Sequence, residues 1–149
     1  MTLQNKIKTI DGGFAKGALG TLKYINDFNF KNVKRFYQID FPKRGIIRAF
    51  HGHLKETKYV YAVEGNTLLC VVKLSSNKNP SKKAPVQKTL LSGKNPQIIQ
   101  IPPGFANGIK SLSKNAKVIF FSSFSLNQSL RDDFRFPYDY WGKDVWKNQ

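Results

Sequence analysis

The chain has 149 residues, with 25 lysines and arginines against nine aspartates and glutamates, and a formal net charge of +16. That length is close to the commonest size of one domain, so residues 1–149 are read as a single domain with room for one core. No run of about 18 apolar residues is present to cross a bilayer, and Met1-Thr-Leu-Gln-Asn-Lys6 lacks the apolar centre of a secretory signal, so a cytoplasmic protein without a membrane partner is expected.

In chain order, short β-patterned runs alternate with turn residues and little has helical period. Strands are predicted at Val33–Ile39, Gly45–His53, Lys58–Val63, Thr67–Leu74, Val86–Leu91, Gln97–Ile101, Gly108–Leu112 and Lys117–Ser125. Glu64-Gly65-Asn66 predicts a tight hairpin, and Ser92-Gly-Lys-Asn-Pro96 and Ser113-Lys-Asn115 predict further turns. About eight short strands in one domain imply an all-β barrel or two-sheet jelly roll. The single cysteine, Cys70, lies in the apolar run Leu68–Val72 and reads as a core side chain rather than a nucleophile. The tail Arg131–Trp141 is dense in aromatics and charges and reads as a lid over the open end of the barrel.

A basic chain raises nucleic acid as a partner. The lysines, however, are scattered along the whole sequence with many asparagines, their one concentration, Lys78–Lys83, has the composition of a solvated loop, and no known nucleic-acid-binding signature is present. A general Lys/Asn bias explains the charge and leaves room for a smaller anion such as a nucleotide diphosphate.

Both histidines stand two residues apart in Arg48-Ala-Phe-His-Gly-His53. On a strand, residues i and i+2 share a face, so His51 and His53 project into one space. Imidazoles there bind a metal or move protons near neutral pH. The order Gly45, His51, His53, Glu56, Gly65 approaches the first metal motif of the cupin barrels, with the carboxylate at least one position early. In the second motif, Pro102-Pro-Gly-Phe-Ala-Asn107 places an amide where the remaining imidazole ligand belongs, and an amide is a poor transition-metal ligand. Proton transfer without a metal or cofactor is the resulting expectation.

Four segments together carry a resemblance: Arg48–His53, Lys58-Tyr-Val-Tyr-Ala-Val-Glu-Gly65, Ile101-Pro-Pro-Gly-Phe-Ala-Asn-Gly108 and Asp132-Asp-Phe-Arg-Phe-Pro137. From about Val33 to Trp141 the chain resembles the dTDP-4-dehydrorhamnose 3,5-epimerase family of cupins and, in its His-x-His pair, the related sugar-nucleotide 3,4-ketoisomerases. The resemblance implies a mainly antiparallel cupin jelly-roll barrel, metal-free and homodimeric, acting on nucleoside-diphosphate 4-keto sugars. A ketone acidifies the neighbouring C–H bonds, so such an enzyme needs a base, an acid and a cation for the enolate oxygen. By resemblance His51 is the base, Lys58 stands near the enolate oxygen, and Arg48 lies near the substrate. Strict alternation would turn Arg48 away from His51 unless a bulge corrects its aim.

The chain departs from the epimerases at His53, where they carry glutamine, and at Asn107, where they carry a second histidine. Their acid tyrosine belongs near Ser123–Asn127, a segment with no tyrosine. Tyr37, Tyr59, Tyr61 and Tyr138 are the candidate replacements, with Tyr37 chosen because its strand directly precedes the histidine strand. The aspartate that orients His51 is sought among Asp132, Asp133 and Asp139, the last being closest by position. The expected catalytic set is His51, His53, Lys58, Tyr37 and Asp139, with Arg48, Asn107, Lys110 and Arg135 binding substrate. The activity expected is 3,5-epimerase-like isomerisation in surface-polysaccharide sugar biosynthesis. The alternatives are a 3,4-keto shift and a non-catalytic sugar-nucleotide-binding cupin.

Overall fold

The computed structural model describes residues 6–147, so the Met1–Asn5 stretch considered above as a signal lies outside the described residues. The strands are β1 (Lys8–Asp11), β2 (Gly13–Gly17), β3 (Gly20–Tyr24), β4 (Arg35–Phe41), β5 (Ile47–His53), β6 (Lys58–Glu64), β7 (Asn66–Lys73), β8 (Val86–Ser92), β9 (Gln97–Ile101), β10 (Phe105–Ser111), β11 (Ala116–Ser122) and β12 (Phe134–Arg135). One short helix, α1 (Leu126–Leu130), and a 3-10 turn at Lys143–Trp146 complete the regular structure.

Two antiparallel five-stranded sheets face each other, in the orders β1-β9-β6-β11-β4 and β12-β5-β10-β7-β8, and β2 and β3 form a separate hairpin. No ladder joins the two large sheets among the described residues, so the expected jelly roll takes its two-sheet form. Each of the eight expected strands is present, Gln97–Ile101 with the expected ends and the others with shifted ends, while β1, β2, β3 and β12 were not anticipated. The strand expected to run to Ser125 stops at Ser122. Ser125 instead caps α1, its hydroxyl accepting from the Gln128 N–H while the Gln128 side chain returns to the Ser125 N–H. Gly65, with φ of +74°, makes the tight turn between β6 and β7.

The apolar residues form two cores. Between the sheets lie Phe41, Val60, Leu69, Val71, Ile99, Ile109, Val118 and Phe120, among others. Behind the second sheet lie Phe50, Leu68, Cys70, Val72, Phe136, Trp141 and Trp146. Strand β7 is thus covered on both faces, which is why Leu68–Val72 is apolar without alternation. Burial pushes the Cys70 thiol pKa up to about 12, consistent with a packing role.

The C-terminal aromatics correct one expectation. Trp141 packs edge-on against both Phe50 and Phe136 behind the second sheet instead of closing the barrel mouth, because Phe50 points away from the space between the sheets. Each such buried side chain contributes about 1.5–3 kcal/mol, so this segment is a fixed wall. No helix among the described residues is long and apolar enough to cross a membrane.

Candidate active site

Strand β5 lies between β10 and β12, so His51 has Asn107 as its neighbour on one side and Arg135 on the other. His51 and His53 both line a cavity of about 250 Å³ between the sheets, as the two-residue period requires. Arg48 lines it too, despite its odd spacing from His51. The ladder explains this: Asn107 pairs with His51 and Ile109 with Arg48, so three steps along β5 match two along β10. One extra residue in β5 forms a bulge and returns Arg48 to the histidine face. Gly108 stands opposite this irregularity, and a side chain there would collide with Ala49 and Trp146, so only glycine lets the strands and the C-terminal segment close up.

The facing sheet supplies the other wall. Arg35, Tyr37 and Ile39 alternate along β4 toward the cavity, and Lys58 reaches it from β6. The Lys58 ammonium donates to the Tyr37 hydroxyl at 2.8 Å, and the Tyr37 ring stacks on Phe120 at 5.3 Å. Leu126, Ser129 and Leu130 of α1 close one side.

Beneath these groups lies Glu56, 1% exposed. Its Oε2 accepts from the hydroxyls of Ser122 and, at 2.9 Å, Ser129, and lies 3.2 Å from the Lys58 ammonium and 3.8 Å from the Arg35 guanidinium. His53 Nδ1 lies 2.7 Å from the Asp132 carbonyl oxygen. A carbonyl only accepts, so Nδ1 carries the proton and Nε2 is the nitrogen left for the cavity. The Asp132 carboxylate accepts from the backbone N–H groups of Leu54, Lys55 and Glu56 at 2.9, 2.9 and 2.8 Å, which pins the turn after β5. At the rim, His51 Nδ1 is 3.8 Å from Asp133 Oδ1. Burial lowers the His51 pKa from 6.5, the Asp133 carboxylate opposes that, and the cations Arg135 and Arg48 reinforce it.

The cavity thus gathers His51, His53, Lys58, Tyr37, Arg48, Asn107 and Arg135 from the expected set. Two members fall elsewhere. Asp139 is exposed in the turn after Pro137, whereas the pairing of Phe134 and Arg135 with β5 carries Asp133 to His51, so Asp133 takes the place given to Asp139. Lys110 projects from the opposite face of β10, where its ammonium donates to the Trp146 carbonyl at 3.0 Å, and it leaves the substrate set. Among the other tyrosines, Tyr59 packs on Phe28, Tyr138 is exposed, and neither they nor Tyr61 line the cavity. Arg35 and Glu56 were missed as site residues. Arg35 was available from the same alternation that selects Tyr37, while nothing local in the sequence marks Glu56 as buried.

His53, Glu56 and Asp132 bring ligand atoms within 4.8 Å of one another, the one grouping of metal-binding type among the described residues. The set suits a cation poorly. Two ammonium or guanidinium groups already compensate Glu56, three N–H groups engage the Asp132 carboxylate, and the near nitrogen of His53 carries a proton. What remains is a wall bearing a base-type histidine, an opposite wall bearing a lysine–tyrosine pair, and an excess of cations over carboxylates.

A two-sheet antiparallel fold with this cavity between its sheets places the chain among the jelly-roll proteins. It belongs to the dTDP-4-dehydrorhamnose 3,5-epimerase family, whose model matches residues 23–133. The chain is 27% identical over 110 residues to the spore coat polysaccharide biosynthesis protein SpsL of Bacillus subtilis, covering 72% of each chain. Its fold is similar to the dTDP-4-dehydrorhamnose 3,5-epimerase of Elizabethkingia anophelis, with TM-score 0.74, 19% identity and coverage of 100% of this chain and 85% of that one. It is also similar to QdtA, a sugar 3,4-ketoisomerase of Thermoanaerobacterium thermosaccharolyticum solved with TDP, with TM-score 0.67, 17% identity and coverage of 97% and 96%.

Proposed function

We propose that this chain is an isomerase of nucleoside-diphosphate 4-keto-6-deoxy sugars that acts by removing a proton alpha to the ketone, in the manner of the 3,5-epimerases. The observation that carries the reading is the meeting of His51 from one sheet with the Lys58–Tyr37 pair from the other in one cation-rich cavity. His51 accepts the proton, Lys58 stabilises the enolate oxygen and Tyr37 returns a proton from the opposite wall, an arrangement that inverts a ring carbon. Asp133 orients His51. The cavity, at about 250 Å³, is smaller than the roughly 300–1,000 Å³ of sites that enclose a whole ligand. The sugar therefore enters and the diphosphate lies along the rim at Arg48 and Arg135, where guanidinium groups suit phosphate oxygens. The TDP bound by the ketoisomerase neighbour supports a nucleoside diphosphate, and the spore coat relative supports a place in polysaccharide sugar biosynthesis. In this reading the chain works as a single-domain cytoplasmic homodimer.

A second reading, the 3,4-keto shift, is favoured by one observation: His53 stands beside His51 on the same wall, so a proton can be taken and given from one side of the sugar. Incubation with a panel of 4-keto sugar nucleotides in deuterium oxide tests both. Deuterium at a carbon next to the ketone is the expected result, with an inverted centre marking epimerisation and a moved carbonyl marking the keto shift. Tight binding of the nucleotides with no exchange into any of them would replace both with the binding-protein alternative.

A further inference from the structure

We propose that Glu56 is a positioning residue that makes His53 the second proton carrier of the site, an inference that rests on the isomerase reading above. Glu56 is almost fully buried, and its two carboxylate oxygens have different surroundings. Oε2 is crowded by the Ser122 and Ser129 hydroxyls and by the Lys58 and Arg35 cations. Oε1 has no hydrogen-bond partner among the described residues, yet it lies 3.3 Å from His53 Nδ1. That N–H is committed to the Asp132 carbonyl, so Oε1 is held beside the ring without being used by it.

A buried acceptor without a donor is costly unless some state of the protein uses it. Positive charge on the His53 ring uses Oε1 electrostatically: the proton added at Nε2 brings no new donor to Oε1 but places charge on a ring whose Nδ1 is 3.3 Å away. The two cations that compensate Glu56 lie on Oε2, so Oε1 is the end of the fixed carboxylate turned to His53, and it attracts positive charge on that ring. Facing Glu56 are His53 from β5, Lys58 from β6, Arg35 from β4, Ser122 from β11 and Ser129 from α1, and of these only His53 changes charge in the mechanism.

The step balances as follows. His51 takes the proton from the carbon next to the ketone, and the C–H electron pair becomes the new C=C bond. The carbonyl π pair moves to oxygen, which takes the Nε2 proton of His53, a proton that the ring has drawn from solvent through the open rim before the sugar fills the cavity. The products are an enol, protonated His51 and neutral His53. Collapse of the enol returns the oxygen proton to His53 and restores the ketone, while the carbon takes a proton from Tyr37 or His51 and solvent resets the donor.

Glu56→Gln keeps the shape and removes the charge. The expected loss is about 10- to 100-fold in kcat, within what a general acid supplies, with KM unchanged within about twofold. In a His53→Asn background the same substitution should cost nothing further, and in a Lys58→Met background it should cost in full. Wild-type kcat in Glu56→Gln, or a cost that disappears with Lys58 instead of His53, overturns the proposal. Should Glu56→Gln fail to fold, Glu56→Asp carries the same cycle, since the displaced carboxylate weakens the same coupling. A substrate-free measurement separates this proposal from the reading it rests on. Nitrogen NMR of the native protein above neutral pH should find His53 protonated at Nδ1 and free at Nε2, and the opposite tautomer overturns the pairing whatever the substrate. Absence of exchange into every sugar, together with the expected tautomer, overturns the reaction and with it the proton-carrying role of His53.

Discussion

The floor and the rim of the cavity use the same kinds of side chain and handle charge in opposite ways. At the floor, Lys58 and Glu56 are 5% and 1% exposed, 3.2 Å apart, and fastened by further partners on every side. At the rim, His51 and Asp133 are 3.8 Å apart with side chains 35% and 21% exposed. Low dielectric makes the floor charges strong and fixed, whereas water and salt weaken those at the rim and let a proton move there at little cost. In the proposed reaction the base sits where burial keeps its ring neutral and able to accept a proton, and the cation that would meet the enolate sits where its charge is not screened.

The largest effect should come from the base. His51→Asn is expected to slow deuterium exchange by about 10²–10⁴-fold while leaving nucleotide affinity nearly unchanged, because the diphosphate rests on other residues. Exchange assays together with calorimetric titration with TDP check this. Near-native exchange in a folded His51→Asn would move the base away from the rim.

Stability separates the two regions next. Removing Glu56 strands buried cations, so Glu56→Ala should lose about 3–5 kcal/mol in urea unfolding. Asp133→Ala breaks a half-exposed contact and should lose under about 1 kcal/mol. Equal losses would erase the distinction between floor and rim. On activity the rim aspartate matters more: Asp133→Asn should lower kcat about tenfold by releasing the His51 ring, and Asp139→Asn should leave kcat within about twofold.

The pH dependence sharpens the same comparison. Burial lowers the His51 pKa from 6.5, so the neutral, proton-accepting ring persists below that pH and the acid limb of kcat/KM should lie below pH 6.5. Between the lowered native value and 6.5, the unfolded chain binds a proton that the native chain does not. The His51 contribution to stability is therefore complete above pH 6.5 and is lost as pH falls through that window. Asp133 opposes the shift, so Asp133→Asn should carry the acid limb to still lower pH, and movement upward would contradict the assigned contact.

How much of this was legible in the sequence depends on the range of the information. The placement of His51, His53 and Tyr37 follows from a period of two on short strands, which is local. The re-aiming of Arg48 was legible as a need, since alternation pointed it the wrong way, but the bulge that meets it depends on the pairing with β10. Choosing Asp139 over Asp133 failed because a two-residue strand after a charged turn leaves no pattern, and only its pairing with β5 shows which aspartate arrives. Lys110 was within reach of the same period, since it stands three residues after Asn107 on β10 and so on the opposite face, where its ammonium meets the Trp146 carbonyl. Glu56 was legible only as a metal ligand out of register, and its burial depends on Ser122, Ser129 and Lys58 converging from three other elements. The helix at Leu126–Leu130 was within reach, since Ser125 and Gln128 have the spacing of a capping box.

The smallest expected effect is that of removing metal ions, and it tests whether the floor is already complete without one. A divalent cation at His53, Glu56 and Asp132 would have to displace the Lys58 ammonium from Glu56, take the Asp132 carboxylate from three backbone N–H groups, and strip the proton from His53 Nδ1. Each exchange gives up a charge-assisted bond already formed, and the nearby Arg35 guanidinium repels the incoming ion. Dialysis against a strong chelator should therefore change turnover by less than about twofold, and the melting temperature should not move, because nothing that binds the native state has been removed. Stoichiometric zinc, iron or manganese in the purified protein, with activity lost on its removal and recovered on its return, would show that the floor rearranges around an ion and that Lys58 has another position.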